Sequence, residues 1–98
     1  MVPSDAPQTP TTVLVVDDAP VDRLVTGAII EQMPGWRALY AESGEEALAA
    51  MARERPRIVL TDLNMPKMDG LALVEEVHRL YPAVPVVLLT AYGNEEIA

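Results

Sequence analysis

The chain has 98 residues, enough for one domain, with half of them apolar and 22% charged. Fifteen acidic side chains outnumber seven basic ones, for a formal charge of −8, so nucleic acid is a poor partner and a divalent cation or a basic surface on another protein a better one. There is no cysteine, which excludes disulfides and thiolate metal sites and fits a reducing compartment. The apolar runs are too short to span a bilayer, and the first residues lack the basic start and apolar stretch of a secretory signal. A cytoplasmic protein with no membrane partner is the expectation.

Residues 1–11 are rich in Pro, Ser, Thr and Gln without an apolar period, and are read as a disordered leader. The run Thr12-Val13-Leu14-Val15-Val16 is β-branched and apolar on both faces, the pattern of a strand covered by helices on each side. It ends at Asp17-Asp18. A helix opens after it, with Asp18 as its expected cap and Pro20 in its first turn. Leu24, Val25, Ala28, Ile29 and Met33 recur at helical spacing and form the expected buried stripe, with Met33 as core filler. Pro34-Gly35 stops the helix.

Trp36–Ala41 reads as a second strand, with Trp36 partly buried in a packing role. Ser43 and Glu46 have the spacing of a capping box, and the helix they open runs past Ala47, Leu48, Met51 and Ala52 to Pro56. Glu45, Glu46, Arg53, Glu54 and Arg55 make its solvated face. A third strand, from Arg57 through Ile58-Val59-Leu60-Thr61, ends in Asp62, and Pro66 and Asp69-Gly70 mark the loop after it. Leu71, Val74, Val77, His78 and Tyr81 are spaced for a third helix; His78 has no second nitrogen ligand to share a zinc with and is expected on the surface or half-buried. Pro82 and Pro85 frame the turn into a fourth strand, Val84–Thr90, expected to be buried. Ala91-Tyr92-Gly93 is then a loop, and Asn94 is placed to cap a further helix beginning at Glu95 and Glu96.

Alternating strands and helices at these spacings predict βαβ units and a doubly wound α/β parallel sheet. In such a sheet the strands run the same way and ligands sit beyond their carboxyl ends. Asp17, Asp18, Asp62 and Thr90 would share that edge. Crowded carboxylates repel one another unless a cation intervenes, and Mg²⁺ suits a few oxygen ligands and a phosphate. One carboxylate oxygen left free can attack phosphorus, which is nucleophilic catalysis by aspartate. The Thr90 hydroxyl can then donate to a phosphate oxygen.

The motifs V-L-V-V-D-D, I-V-L-T-D-L-N-M-P-K-M-D-G and V-V-L-L-T-A stand in this order across most of residues 12–98. In them the chain resembles the receiver domain of two-component response regulators, with the CheY-like, flavodoxin-like fold. The resemblance implies that Asp62 accepts a phosphoryl group from a sensor histidine kinase. It implies that Asp18 and Asp62 bind Mg²⁺ by their side chains, Asn64 by its backbone carbonyl, and Asp17 mainly through a bound water. Thr90 would be the switch hydroxyl, with Ala91 leaving room for it, and Asn64 and Tyr92 would tune the lifetime of the phosphate. An output domain would follow in the parent protein.

The family closes its sheet with a fifth strand bearing a lysine, and a last helix; neither stands in these 98 residues. Lys67, the single lysine, lies in the loop after Asp62 and is not expected to replace it. The chain is thus expected to be part of a longer protein, or to be completed by a second copy in a homodimer or by exchange of an element. Two alternatives stand beside phosphotransfer. One is a pseudo-receiver that binds partners without being phosphorylated. The other is a Mg²⁺-dependent phosphohydrolase with an aspartyl nucleophile. Such an enzyme places its nucleophile after the first strand with another acid two residues on, whereas Asp17 and Asp18 are adjacent. No glycine-rich phosphate turn follows the first strand, so a nucleotide site is not expected.

Overall fold

The computed structural model describes residues 10–89. Four strands alternate with three helices: β1 (Thr11–Val16), α1 (Pro20–Glu31), β2 (Trp36–Ala41), α2 (Gly44–Glu54), β3 (Ile58–Asp62), α3 (Gly70–Leu80) and β4 (Val86–Leu89). All pairings are parallel and the order across the sheet is β2-β1-β3-β4. Thr11, assigned to the leader by composition, belongs to β1: its amide donates to the Gly35 carbonyl at 2.7 Å. Val84, expected in the fourth strand, instead closes a turn onto the Tyr81 carbonyl, and β4 starts after Pro85.

β1 is the centre of the packing. Val13, Leu14, Val15 and Val16 are each no more than 1% exposed, and successive side chains enter opposite layers. Leu14 and Val16 pack with Val59 of β3, Ala47 and Met51 of α2, and Leu73 and Val77 of α3. Val13 and Val15 pack with Ala38 of β2 and Ile30 of α1, flanked by Trp36, Ile58 and Leu60. The doubly apolar pattern of β1 thus reports a sheet with helices on both faces, and Trp36 has the partial burial expected of it.

The α1 stripe does not behave as its spacing predicts. Gly27 and Ile30 are its buried residues, while Leu24, Val25 and Ile29 are more than half exposed and Met33 more than a third. The periodicity is that of an amphipathic helix, but the sheet takes up only one edge of the apolar face, and no described element covers the rest. In α3, likewise, Leu73 and Val77 are buried and Leu71 is exposed. β4 is not the buried strand its apolar run predicts: Val87, Leu88 and Leu89 are each more than a third exposed. Among the described residues, β3 is the single strand neighbour of β4.

Helix starts follow local chemistry. Ser43 caps α2 by accepting from the Glu46 amide at 3.1 Å, as its spacing predicts, while Glu46 reaches back one residue further than a capping box requires, to the Glu42 amide at 3.0 Å. Asp69 caps α3 through the Ala72 amide at 2.9 Å. At α1 the expected Asp18 cap is absent. Ala19 holds the cap position without a side-chain bond, and Pro20 occupies the first turn. Asp17 takes over locally, its Oδ1 accepting from the Ala19 amide at 2.9 Å. His78 is exposed, in line with expectation.

Candidate functional site

The chain crosses from one side of β1 to the other between β2 and β3. The crevice at the carboxyl ends of β1 and β3 is therefore the topological switch point of the sheet, where ligands bind in this architecture. Val16 is in register with Thr61, so the residues that follow, Asp17 and Asp62, leave adjacent strands side by side. Asp17, Asp18 and Asp62 each present a carboxylate oxygen, and these oxygens lie within 4.8 Å of one another. Two trans ligands on an octahedral Mg²⁺ are about 4.2 Å apart, so oxygens within 4.8 Å of one another have a spacing close to that of ligands on one ion. Hard carboxylate oxygens without nitrogen or sulfur are the donor set such a cation prefers. Asp17 and Asp62 are half-buried and Asp18 is exposed.

The electrostatics are those of partly buried, crowded carboxylates. Burial pushes the Asp62 carboxyl above its ordinary value of 3.8; the amides of Leu63 and Asn64 pull it back, and the charges of Asp18 and Asp22 push it up again. Asp17 is raised as well, first by burial, with the Ala19 amide opposing and Asp62, Asp22 and Asp18 adding repulsion. Asp22, in the first turn of α1, thus acts on both carboxylates, although as a surface acid in sequence it carries no motif.

Asp62 is held by its backbone. The buried Thr61 donates its hydroxyl to the Asp62 carbonyl at 3.0 Å. The Gly70 amide closes the loop onto the Leu63 carbonyl at 2.8 Å. A Cβ at position 70 would strike the Asp62 carbonyl oxygen and lie 2.9 Å from Leu63 Cα, so only glycine lets α3 start this close to the strand end. Met65 is buried in the core, and Met68 packs against that core and over Gly44, which anchors the loop at two points. The sequence shows Thr61 and Gly70 only as a strand residue and half of a turn; their approach to the Asp62 carbonyl is a tertiary fact. On the β1 side, Arg23 Nη1 donates to the Asp17 carbonyl at 2.8 Å and ties α1 to the end of β1.

Asn64 is exposed in the loop, two residues beyond Asp62. Lys67 is exposed too, in a left-handed backbone conformation with φ +67. Thr90, Ala91, Tyr92 and Asn94 lie outside the described residues; Leu89, the last residue of β4, is in register with Asp62.

The sequence matches the response regulator receiver domain family over residues 13–98. It is 42% identical over 83 residues to the probable transcriptional regulatory protein TcrX of Mycobacterium tuberculosis, covering 84% of this chain and 35% of that protein. It is 38% identical over 90 residues to a protein-glutamate methylesterase/protein-glutamine glutaminase of Desulfitobacterium hafniense, covering 91% of this chain and 23% of that one. The chain thus spans about a third or less of the length of these relatives. Among solved structures, the response regulator TrrA of Thermotoga maritima, in complex with Mg²⁺ and BeF, superposes with a TM-score of 0.79 at 31% identity, over 89% of this chain and 75% of that one. A CheY-like receiver domain from Methanospirillum hungatei gives 0.78 at 30% identity, over 85% and 66%. Sheet order, the acidic cluster at the switch point and these similarities agree: the chain belongs to the response regulator receiver domain family of two-component systems.

Proposed function

We propose that the chain is a phosphoacceptor module, with Asp62 as the residue that takes the phosphoryl group from a sensor histidine kinase. The observation that carries this reading is the convergence of the Asp17, Asp18 and Asp62 oxygens within 4.8 Å at the β1/β3 switch point. An Asp62 oxygen forms the bond to phosphorus, the phosphorus–nitrogen bond of the donor phosphohistidine breaks, and the imidazole leaves with the electron pair and takes up a proton. Asp18, Asp62 and the Asn64 backbone carbonyl would hold Mg²⁺, with Asp17 acting through water; the ion, when bound, offsets the charge of the transferring group. Thr61, Gly70 and the two anchoring methionines keep the Asp62 backbone in place, so that positioning supplies much of the rate.

In this reading the receiver unit begins at Thr11, the first residue of β1, and the residues before it are a leader. Thr90 responds to the phosphoryl group and passes the change to an output domain in the cytoplasm, as a local charge event acting on a two-state element. The likeness to proteins named as transcriptional regulators supports an output beyond this domain.

The test is labelling by acetyl phosphate with Mg²⁺, in the chain extended to include whatever its gene encodes after Ala98. Asp62→Asn abolishes the label; label that persists in this variant refutes the site. The 98-residue chain alone, with Lys67 as its single lysine, is expected to label weakly or briefly. Stable, efficient labelling would show that the family's lysine is dispensable or is supplied by a neighbouring copy.

A further inference from the structure

At the opposite end of the sheet from the acidic cluster, a groove of about 470 Å³ lies between the end of α2 and the turn that precedes β4. That volume is within the range of ligand sites. Met51 and Pro56 are buried and form its floor, Tyr81 and Val84 are half-buried walls, and Arg55 and Arg57 stand exposed at its rim. β3 separates it from the acidic cluster by roughly 15 Å, so the two are distinct sites. In a chain with a formal charge of −8, two guanidinium groups share this rim, and neither pairs with an acid among the described residues.

The backbone adds a second observation. Arg55 is the C-cap of α2 and is left-handed, at φ +54 and ψ +56. Glycine is the residue that takes this conformation without strain, and an arginine here carries the cost of its Cβ. The strained position delivers one of the two cations that line the groove.

We propose that this groove binds an acidic peptide segment of a partner protein, with carboxylates on Arg55 and Arg57 and a neighbouring aromatic or aliphatic side chain against Pro56, Tyr81 and Val84. Planar guanidinium forks match carboxylates in two-point contacts, and the apolar wall gives the anchor its place. A bare inorganic anion would leave that wall uncovered. A nucleic acid would gain two cations and meet the net negative charge of the rest of the molecule.

The test is a titration of the ¹⁵N-labelled chain followed by amide shifts, with the capped peptide acetyl-Asp-Glu-Trp-Leu-Asp-Glu-amide and its Asn/Gln counterpart. The acidic peptide is expected to give saturable shifts confined to residues 51–58 and 81–84, weakened by salt, and the neutral counterpart none. Arg55→Gly is expected to melt at or above the wild-type temperature, because strain is relieved, while losing about fivefold in affinity; Arg57→Gln, which leaves the helix cap intact, is expected to lose a similar factor. The proposal is overturned by an absence of saturable shifts at about 5 mM peptide, by equal binding of the neutral peptide, by sulfate alone reproducing the shifts, or by unchanged affinity in both variants.

Discussion

Gly70→Ala tests whether the start of α3 holds the Asp62 end of β3 in place. The added Cβ would meet the Asp62 carbonyl oxygen and would sit 2.9 Å from both Leu63 Cα and Leu88 Cδ2. Carbon atoms in contact prefer about 3.5–4 Å, so the backbone at Asp62 and Leu63 has to retreat by about half an ångström or more. Overpacking of this kind costs about 1–3 kcal/mol, and replacing a helical glycine returns about 0.5–1 kcal/mol. The net loss is about 1–2 kcal/mol, which lowers the melting temperature of a domain this size by roughly 5–15 °C. On the proposed phosphoacceptor reading, displacement of Asp62 adds a functional loss of about tenfold to a hundredfold in labelling rate. Thermal melting by circular dichroism and acetyl phosphate labelling of the extended chain measure the two effects. Gly27→Ala is the control. There the new Cβ meets the ring of Tyr40, which is 41% exposed and able to swing away, so stability is kept or raised. A Gly70→Ala protein that melts and labels like the wild type would show that the close approach of α3 to Asp62 is immaterial.

The acidic cluster gives a pH dependence of definite sign. Asp17 and Asp62 are raised in the folded state above the ordinary 3.8, so just above that pH the folded chain holds protons that the unfolded chain has released. Their contribution to metal-free stability is therefore greatest at low pH and is lost as the pH rises through the raised values. In urea denaturation without divalent cations, Asp62→Asn should gain on the wild type as pH rises through this window, and added Mg²⁺ should narrow the gap above it. A gap that shrinks with rising pH in metal-free buffer contradicts the electrostatic account. Thr61→Val keeps the shape of a fully buried side chain but removes its hydrogen bond to the Asp62 carbonyl, for an expected loss of about 1 kcal/mol in the same denaturation experiment. An unchanged midpoint would mean that this bond does not hold the strand end.

Much of the fold could be read from residue order because it depends on local patterns. Val13 to Val16 are apolar without alternation, and only a strand covered on both faces needs that. Ser43 and Asp69 cap helices through bonds that span three residues. The acidic residues Asp17, Asp18 and Asp62 fall at strand ends, and the parallel direction forced by βαβ crossovers brings those ends to one edge. What tertiary structure alone decided is how much of each apolar face finds a partner and which backbone atoms meet. The stripe of Leu24, Val25 and Ile29 has the right period, yet burial depends on a neighbour that periodicity does not specify. Asp18 has the chemistry of a cap, but its carboxylate lies with the cluster and the amide of Ala19 goes to Asp17. Gly70 against the Asp62 carbonyl, the hydroxyl of Thr61 beneath it, and the groove between Arg55, Arg57 and Tyr81 join residues that packing brings together or aims. Sequence sets which chemical groups are available and the period at which they recur; three-dimensional packing sets their separations, and charge repulsion, steric contact and cation binding all depend on separation.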